Sequence, residues 1–448
     1  MGTAAVNTTI GNRLTSDFKN QPYWWNRAPP MPVGSGGVPT SADVAIVGSG
    51  LTALSAALTL LRAGRKVVVF DREDPGFGAS RRNAGYLGRT LKKSFPDLMD
   101  AVGGETALAV YRELDAALQT TRALITDEGI ECHMTRLGRF IGATSRAHYD
   151  RTAKELEITR RHVGFDFHMV PKSEQRGEIA SDLYAGGAVI PDLGALHPGL
   201  YHQGLLERVV AAGGRLCGRT EVGSVERDGD RFRLRTSAAA VTAREVIVAT
   251  NGYTPRGFRW HARRLIPFTA YMAATEVLGE ERVRHLIPQG RTVLDSNMNI
   301  DYVRPAPDTA RLLFGGATGS RLGSVEAMAS RLGAIIGRIL PDLAGVRFSH
   351  LWTGVCAATF DMMPHVGCHE GVWYGMGYNF AGVPMGTYFG RKIAQRILGL
   401  PEGRTVFDST RFPTVPLYGG NPWFVPYAMR YFDWRDRRDA RADRTAAE

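Results

Sequence analysis

Residues 43–73, DVAIVGSGLTALSAALTLLRAGRKVVVFDRE, constrain the fold more than any other stretch of the chain. An apolar run, Val44 to Val47, meets a glycine turn. Apolar positions then recur at helical spacing through Leu51, Leu54, Ala57, Leu58 and Leu61, and a second apolar run, Val67 to Phe70, ends on Asp71. Strand, glycine turn, helix and strand make the nucleotide-binding βαβ unit, with Gly48, Gly50 and Ala53 filling its GxGxxG/A positions. Gly48 permits the tight turn. Gly50 lets backbone N–H groups across Ser49, Leu51 and Thr52 approach a pyrophosphate at the helix N-terminus, and Ala53 is small enough for close helix–strand packing. Asp71, followed by Arg72, stands about twenty residues on, where an acid accepts a ribose hydroxyl. The unit implies a dinucleotide but does not separate NAD from FAD.

The rest of the composition suits a cofactor enzyme. With 448 residues, 44% hydrophobic and 22% charged, the chain can bury a large core, which excludes disorder, collagen and coiled coil. Its length predicts two interleaved domains, and its 52 dispersed glycines predict many tight turns. The net charge of +11 is dispersed and shows no zinc-finger spacing or basic helix with stacking aromatics. A nucleic-acid partner is therefore not expected, and an anionic ligand or solubility accounts for the charge. Cys132, Cys217, Cys356 and Cys368 lie far apart, so no disulfide framework and no metal site are expected. Without an apolar signal core near the N-terminus, and with the run Val44 to Leu61 broken by Gly48, Ser49 and Gly50, the chain reads as cytoplasmic with no transmembrane helix.

Downstream of Asp71, the loop Gly76 to Gly88, GFGASRRNAGYLG, is too glycine-rich and polar for another crossover helix. Its Gly78, Ala79, Ser80, Arg82, Asn83, Ala84 and Gly85 resemble the segment of D-amino-acid-oxidase-like FAD-dependent oxidoreductases that runs beneath the flavin. Three more segments resemble that family in order. Arg215 to Pro255 is a pair of β runs leading to ATNG, which implies an adenine contact at Val222 and cofactor proximity for Thr250, Asn251 and Gly252. Leu265 to Gly279 and Asp301 to Gly316 resemble the substrate-domain sheet. Thr359, Asp361, Pro364 and Gly367 then precede a loop of Gly377, Tyr378, Phe380, Ala381, Gly382 and Val383 that opens the last helix. N–H groups at that helix N-terminus would face the flavin pyrimidine oxygen and stabilise negative charge there. The YWW of Tyr23 to Trp25, the RNAG loop, AYMAATE and DYVRP are most similar to the branch of gamma-glutamylputrescine oxidases and related amine oxidases.

The resemblance implies an α/β chain of the glutathione-reductase-like, DAO type: an FAD-binding Rossmann-like domain (residues 41–100, 190–258 and 350–402) interleaved with an antiparallel-sheet substrate domain (101–189 and 259–349). Residues 1–40 form an N-terminal arm and linker, and 403–448 a C-terminal extension. The helical spacings of 105–126 and 147–162 belong to the substrate domain in this reading. Trp24 and Trp25 are expected to pack on a neighbouring surface. From Arg430 to Glu448 six arginines alternate with five acids, which predicts a solvated helix. Membrane contact is not expected, and apolar 422–427 is the only stretch that would favour it.

The implied reaction is oxidation of the CH–NH bond of an amine or amino acid, by hydride transfer to flavin N5, imine hydrolysis and reoxidation by oxygen to give hydrogen peroxide. The alternative is a D-amino-acid-type dehydrogenase that passes electrons to a quinone or carrier, because Leu313 stands near the position of an oxygen-activating lysine in sarcosine oxidases. Tyr271, Tyr302, Arg304, Trp352, Tyr378 and Asn379 are the candidates for the substrate pocket. Aromatics could cage an ammonium group, and Arg304 could grip a carboxylate through two parallel hydrogen bonds. The competing readings are core packing for the aromatics and an interface ion pair for Arg304. Cys356 is displaced by about two residues from the position that carries covalent flavin in sarcosine oxidases, so FAD is expected to be non-covalent. The oligomeric state is left open.

Overall fold

A computed structural model of the chain describes residues 13–32, 37–89, 91–409 and 411–445. Residues 1–12 of the expected arm, 33–36 of its linker and the last three residues lie outside them. Two sheets organise the molecule. In the first, strands run in the order Val222–Asp228, Arg231–Thr236, Ala240–Val248, Ser41–Val47, Val67–Phe70 and Arg215–Cys217. Val372–Met376 adds parallel to Ala240–Val248, and His365–His369 pairs with it. The βαβ unit closes with Val44 opposite Val67 and Val47 opposite Phe70. All four residues of Val67–Phe70 are buried, as an unbroken apolar strand within a covered parallel sheet must be. Helices Leu51–Arg62 and Gly382–Ile397 pack so closely that a Cβ on Gly390 would overlap the Thr52 carbonyl oxygen.

The second sheet has nine strands, in the order Leu14–Lys19, Phe348–Ala358, Ile266–Thr275, Leu312–Gly316, Tyr302–Pro305, Thr292–Asp295, Arg139–Gly142, Gly186–Ile190 and His168–Pro171. Two of its pairings are parallel: Leu14–Lys19 with Phe348–Ala358, and Thr292–Asp295 with Arg139–Gly142. The other pairings are antiparallel. Helix Val325–Ile339 is covered on its Met328, Leu332, Ile335, Ile336 and Ile339 side, which joins the core of this sheet.

The interleaving differs from the sequence-based division in three places. Phe348–Ala358, expected with the dinucleotide unit, pairs along its length with Ile266–Thr275 and buries Phe348 and Leu351 in the nine-stranded sheet. The chain returns to the dinucleotide unit only after Thr359. Helix Gly104–Asp127, expected in the substrate domain, buries Val110, Leu114 and Leu118 in one core with Leu54, Leu58 and Phe389 of the dinucleotide unit. The N-terminal arm contributes a sheet strand and then a 3₁₀ turn, Tyr23–Asn26, whose Trp24 is fully buried. The Trp24 indole donates 2.8 Å to the Asn83 carbonyl, pinning the RNAG loop. Among the described residues, no helix is long and apolar enough to cross a membrane.

Burial holds four histidines neutral: His202 and His261 are pushed down to about 3, and His197 and His350 to about 4. An unfolded chain takes up protons at these groups near pH 6.5. Their contribution is therefore complete above that pH and is lost as the pH falls below it. Asp301, raised to about 6 by burial, and its neighbour Asp295, raised by burial and by Asp301, work in the opposite sense and return part of the loss. The melting temperature is expected to fall by several degrees between pH 7 and pH 4.5. A flat profile from differential scanning calorimetry would refute the neutral assignment.

Candidate active site

A cavity of about 430 Å³ runs between the two sheets, from the turn at Gly48 to Met298 and Phe432. Gly48 has φ +97°, and a Cβ there would lie 2.9 Å from the Ala249 carbonyl oxygen. Only glycine fits this turn. Helix Leu51–Arg62 starts at Gly50 with no side-chain cap and no acid in its first turn, so its positive end is open to an anion. Ser80 crosses from the next loop, its Oγ accepting from Leu51 N at 3.1 Å. Asp71 Oδ2 accepts from Ser49 N at 3.0 Å and from Ser49 Oγ at 2.5 Å, while Oδ1 accepts from Glu73 N at 3.0 Å. The acid thus fixes the turn from the rim of the cavity.

A buried relay braces the same turn from behind. Arg81 Nε donates to His202 Nδ1 at 2.9 Å, which leaves the imidazole proton on Nε2. That nitrogen then donates to the Ser49 carbonyl at 2.7 Å. Depression of His202 to about 3 by burial keeps this arrangement intact across the physiological range. Replacing His202 by phenylalanine is expected to leave the Arg81 guanidinium buried without its imidazole and to loosen the dinucleotide, read as a lower flavin-to-protein ratio on purification.

At the other end, the loop before helix Gly382–Ile397 is held in left-handed backbone: Gly377 has φ +73°, Asn379 +46° and Phe380 +77°. Asn379 supports this by accepting from Thr359 N at 3.2 Å and donating to the Gly377 carbonyl at 2.6 Å and Thr359 Oγ1 at 3.2 Å. Asn251 Oδ1 accepts from Gly377 N at 2.9 Å, tying this loop to the ATNG turn. Tyr378 donates to the Gly375 carbonyl at 2.7 Å, which leaves the Thr52 hydroxyl to donate to Tyr378, 2.5 Å away. Helix Gly382–Ile397 also begins without a side-chain cap or an acid in its first turn.

The structure brings most of the sequence-predicted cofactor residues to this one cavity. All line it except Ala53, Gly85, Gly252 and Gly377. Of the pocket candidates, Tyr302, Tyr378 and Asn379 line it. Tyr271 does not: its hydroxyl donates to the Ser320 carbonyl at 2.9 Å and accepts from Leu322 N at 3.1 Å. Trp352 is core, its indole donating to the Arg82 carbonyl at 2.9 Å. Arg304 is buried outside the cavity lining, where its Nη1 donates to the carbonyls of Ala84, Gly85 and Leu196 at 3.0, 3.3 and 2.9 Å and its Nε to that of Pro305 at 3.2 Å. Its planar fork serves backbone rather than substrate. Cys356 lines the wall, its thiol pushed up to about 12 by burial.

Sequence reasoning missed Tyr86, Lys92, Arg139, Phe268 and Met298, and the C-terminal residues Phe424, Val425, Ala428, Met429 and Phe432. The last group carries a signal that could have been read. Apolar residues at 424, 428 and 432, with 425 and 429 beside them, recur at helical spacing through an otherwise charged segment.

The cavity fits FAD on this chain's own features: a glycine cradle at a backbone approach, an uncapped helix end and a continuous channel to an aromatic pocket. The family model for FAD dependent oxidoreductases matches residues 43–396. The chain is 29% identical over 402 residues to gamma-glutamylputrescine oxidoreductase of Escherichia coli, covering 89% of this chain and 93% of that one. It is 28% identical over 384 residues to the probable oxidoreductase OrdL of Haemophilus influenzae, covering 85% and 88%. The crystal structure of glycine oxidase from Geobacillus kaustophilus shares the fold with a TM-score of 0.70 at 22% identity, covering 84% of this chain and 99% of that one. The L-proline dehydrogenase of P. horikoshii does so with a TM-score of 0.68 at 15% identity, covering 87% and 99%. Strand, cradle and channel agree with the family match over most of the chain: it belongs to the DAO family of FAD-dependent oxidoreductases.

Proposed function

We propose that this enzyme oxidises the CH–NH bond of an amine or amino acid, with FAD held non-covalently, and returns the electrons to oxygen as hydrogen peroxide. The observation that carries this reading is the channel itself, which leads from the dinucleotide cradle into a pocket walled by Phe268, Met272, Tyr302, Val355 and Phe380. Ser49 to Thr52 and Asp71 would hold the adenosine and pyrophosphate portion, and 378–383 would face the ring system. Bound there, FAD supplies a hydride acceptor for the carbon that bears the nitrogen.

The protein's own part is to bind, orient and dry the donor. Apolar walls disfavour an ammonium ion and favour the neutral amine, the form that can give up hydride. Arg82 donates from Nη1 to the Thr353 carbonyl at 2.9 Å and from Nε to the Phe77 carbonyl at 2.6 Å, so the RNAG loop is tied to the substrate sheet. This holds the two halves of the pocket in fixed geometry. The names of the gamma-glutamylputrescine oxidoreductase and of the glycine oxidase support a nitrogen-bearing donor.

Anaerobic addition of polyamines, gamma-glutamyl amines, N-methyl amino acids and D-amino acids to the purified holoenzyme is expected to bleach the flavin's visible absorbance with at least one class. Colour and peroxide should return together on admitting air. A flavin inert to all four classes would defeat the proposal. Bleaching without recovery in air would favour the dehydrogenase reading, in which a quinone or carrier takes the electrons. The observation that keeps that reading alive is Leu313, which is fully buried with Trp24 and Trp352 and offers no cation there.

A further inference from the structure

The substrate end of the cavity is lined in part by chain beyond the family-matched residues. Helix Val425–Thr445 follows residue 396 by a long connection and turns one face inward, so that Phe424, Val425, Ala428, Met429 and Phe432 complete the lining. Two acids of this helix dock it on the loop after Asp295. Asp433 Oδ1 accepts from Asn299 Nδ2 at 3.0 Å, and Asp436 Oδ2 accepts from Met298 N at 3.0 Å.

Lys92 sits at this junction. Its ammonium donates to the Met298 carbonyl at 3.2 Å, lies 4.9 Å from the centre of the Phe380 ring and lines the cavity. Among the described residues it forms no ion pair. Asp295 and Asp436 are near enough to attract it. Their oxygens, however, accept from Asn297, Asp301 and Met298, and neither lines the cavity. The acids that do line it, Asp71, Glu73 and Glu221, belong to the dinucleotide end. The roofed end therefore presents cations and apolar surface without a carboxylate: Lys92, and Arg139 held 5.1 Å from the Tyr86 ring.

We propose that Lys92 and the C-terminal helix form an anion-selecting subsite, which takes the carboxylate of an amine substrate against an apolar roof and turns away a substrate with a second ammonium group. This rests on the amine-oxidising reading. It divides the discrimination between carboxylate-bearing and diamine donors between Lys92, within the family-matched residues, and an apolar face on a helix beyond them. The fold has already desolvated Lys92, and among the described residues its ammonium makes one hydrogen bond, to Met298, so an incoming carboxylate gains charge-assisted hydrogen bonds from a cation whose burial is already met. A second ammonium group would meet like charge with no acid lining to offset it.

The test uses the full-length holoenzyme and two non-reacting probes of five carbons each, pentanoate and tert-pentylammonium, whose nitrogen-bearing carbon carries no hydrogen to transfer, read as perturbation of the flavin's visible spectrum and by calorimetry. Pentanoate is expected to bind more tightly than tert-pentylammonium. Lys92→Met should weaken pentanoate by at least about tenfold, Lys92→Arg should retain most of the binding, and Phe432→Ala should flatten the rise in affinity from acetate to hexanoate. Burial lowers Lys92 to about 8, against the attraction of Asp295 on its strand and Asp436 on the C-terminal helix, so pentanoate affinity in the unaltered protein should fall as the pH rises past that value. This last measurement needs no variant and survives a misfolded Lys92→Met. Equal affinity for both probes, or pentanoate binding indifferent to pH and to Lys92→Met, would overturn the subsite. An enzyme that binds pentanoate in this way but is bleached by no amine would instead overturn the amine-oxidising reading alone.

Discussion

Arg304→Ala is expected to lower stability by about 3–5 kcal/mol and to reduce flavin retention, with the remaining holoenzyme losing activity alike on every substrate. The guanidinium is buried, pairs with no carboxylate among the described residues, and donates to the four carbonyls of Ala84, Gly85, Leu196 and Pro305. Burial lowers it only to about 10, so it stays charged. Its fork joins the RNAG loop, the turn before helix Pro198–Ala211 and the substrate sheet at one point. Truncation takes a donor from all four carbonyls, of which that of Gly85 keeps Leu196 N at 2.8 Å, in a site too tight for easy repair: a Cβ on neighbouring Gly85 would overlap the Leu196 carbonyl oxygen. Lysine offers one point charge in place of a fork and should recover only part of the loss. Thermal melts and the flavin-to-protein ratio measure both effects. A variant with unchanged melting temperature that fails selectively on carboxylate-bearing substrates would restore Arg304 to the substrate site.

The same residue shows where legibility stops. A βαβ unit is readable because its strand, turn and helix lie within one short segment, so the glycine spacing shows in the sequence even though Gly48 itself meets Ala249 across the sheet. Arg304 answers to residues about 220 and 108 positions away. An arginine suited to a carboxylate is equally suited to four carbonyls, so residue type alone could not decide. Phe348–Ala358 was drawn to the dinucleotide unit by the motif that follows it, whereas its own partner is Ile266–Thr275. The C-terminal helix was legible as a helix. Its inward face was hidden because the acids that dock it, Asp433 and Asp436, look like solvated charges until they meet Asn299 and Met298. Trp24 was likewise legible as something to be buried, but not as the donor that pins Asn83.

Gly48→Ala is expected to yield a protein that purifies almost free of flavin. The native turn has φ +97°, which costs a non-glycine residue about 1–3 kcal/mol by itself. The added carbon would lie 2.9 Å from the Ala249 oxygen and 3.2 Å from its carbonyl carbon, and these are backbone atoms at the end of a central strand that cannot swing aside. Relief must come from the turn, which would shift Ser49 and the first N–H groups of helix Leu51–Arg62 away from the pyrophosphate position. Gly50→Ala provides the control. Gly50 has φ −75°, which any residue adopts, and its Cβ would meet only the Ser80 hydroxyl at 3.0 Å. That side chain can rotate, so the apo fold should be preserved, and what flavin affinity is lost reflects the methyl group facing the ligand. Measured by flavin titration of the apoproteins, the Gly48 variant should bind at least about a hundredfold more weakly than the native protein, and the Gly50 variant should fall between them. Retention of flavin by Gly48→Ala at the native level would mean that the dinucleotide does not lie across this turn.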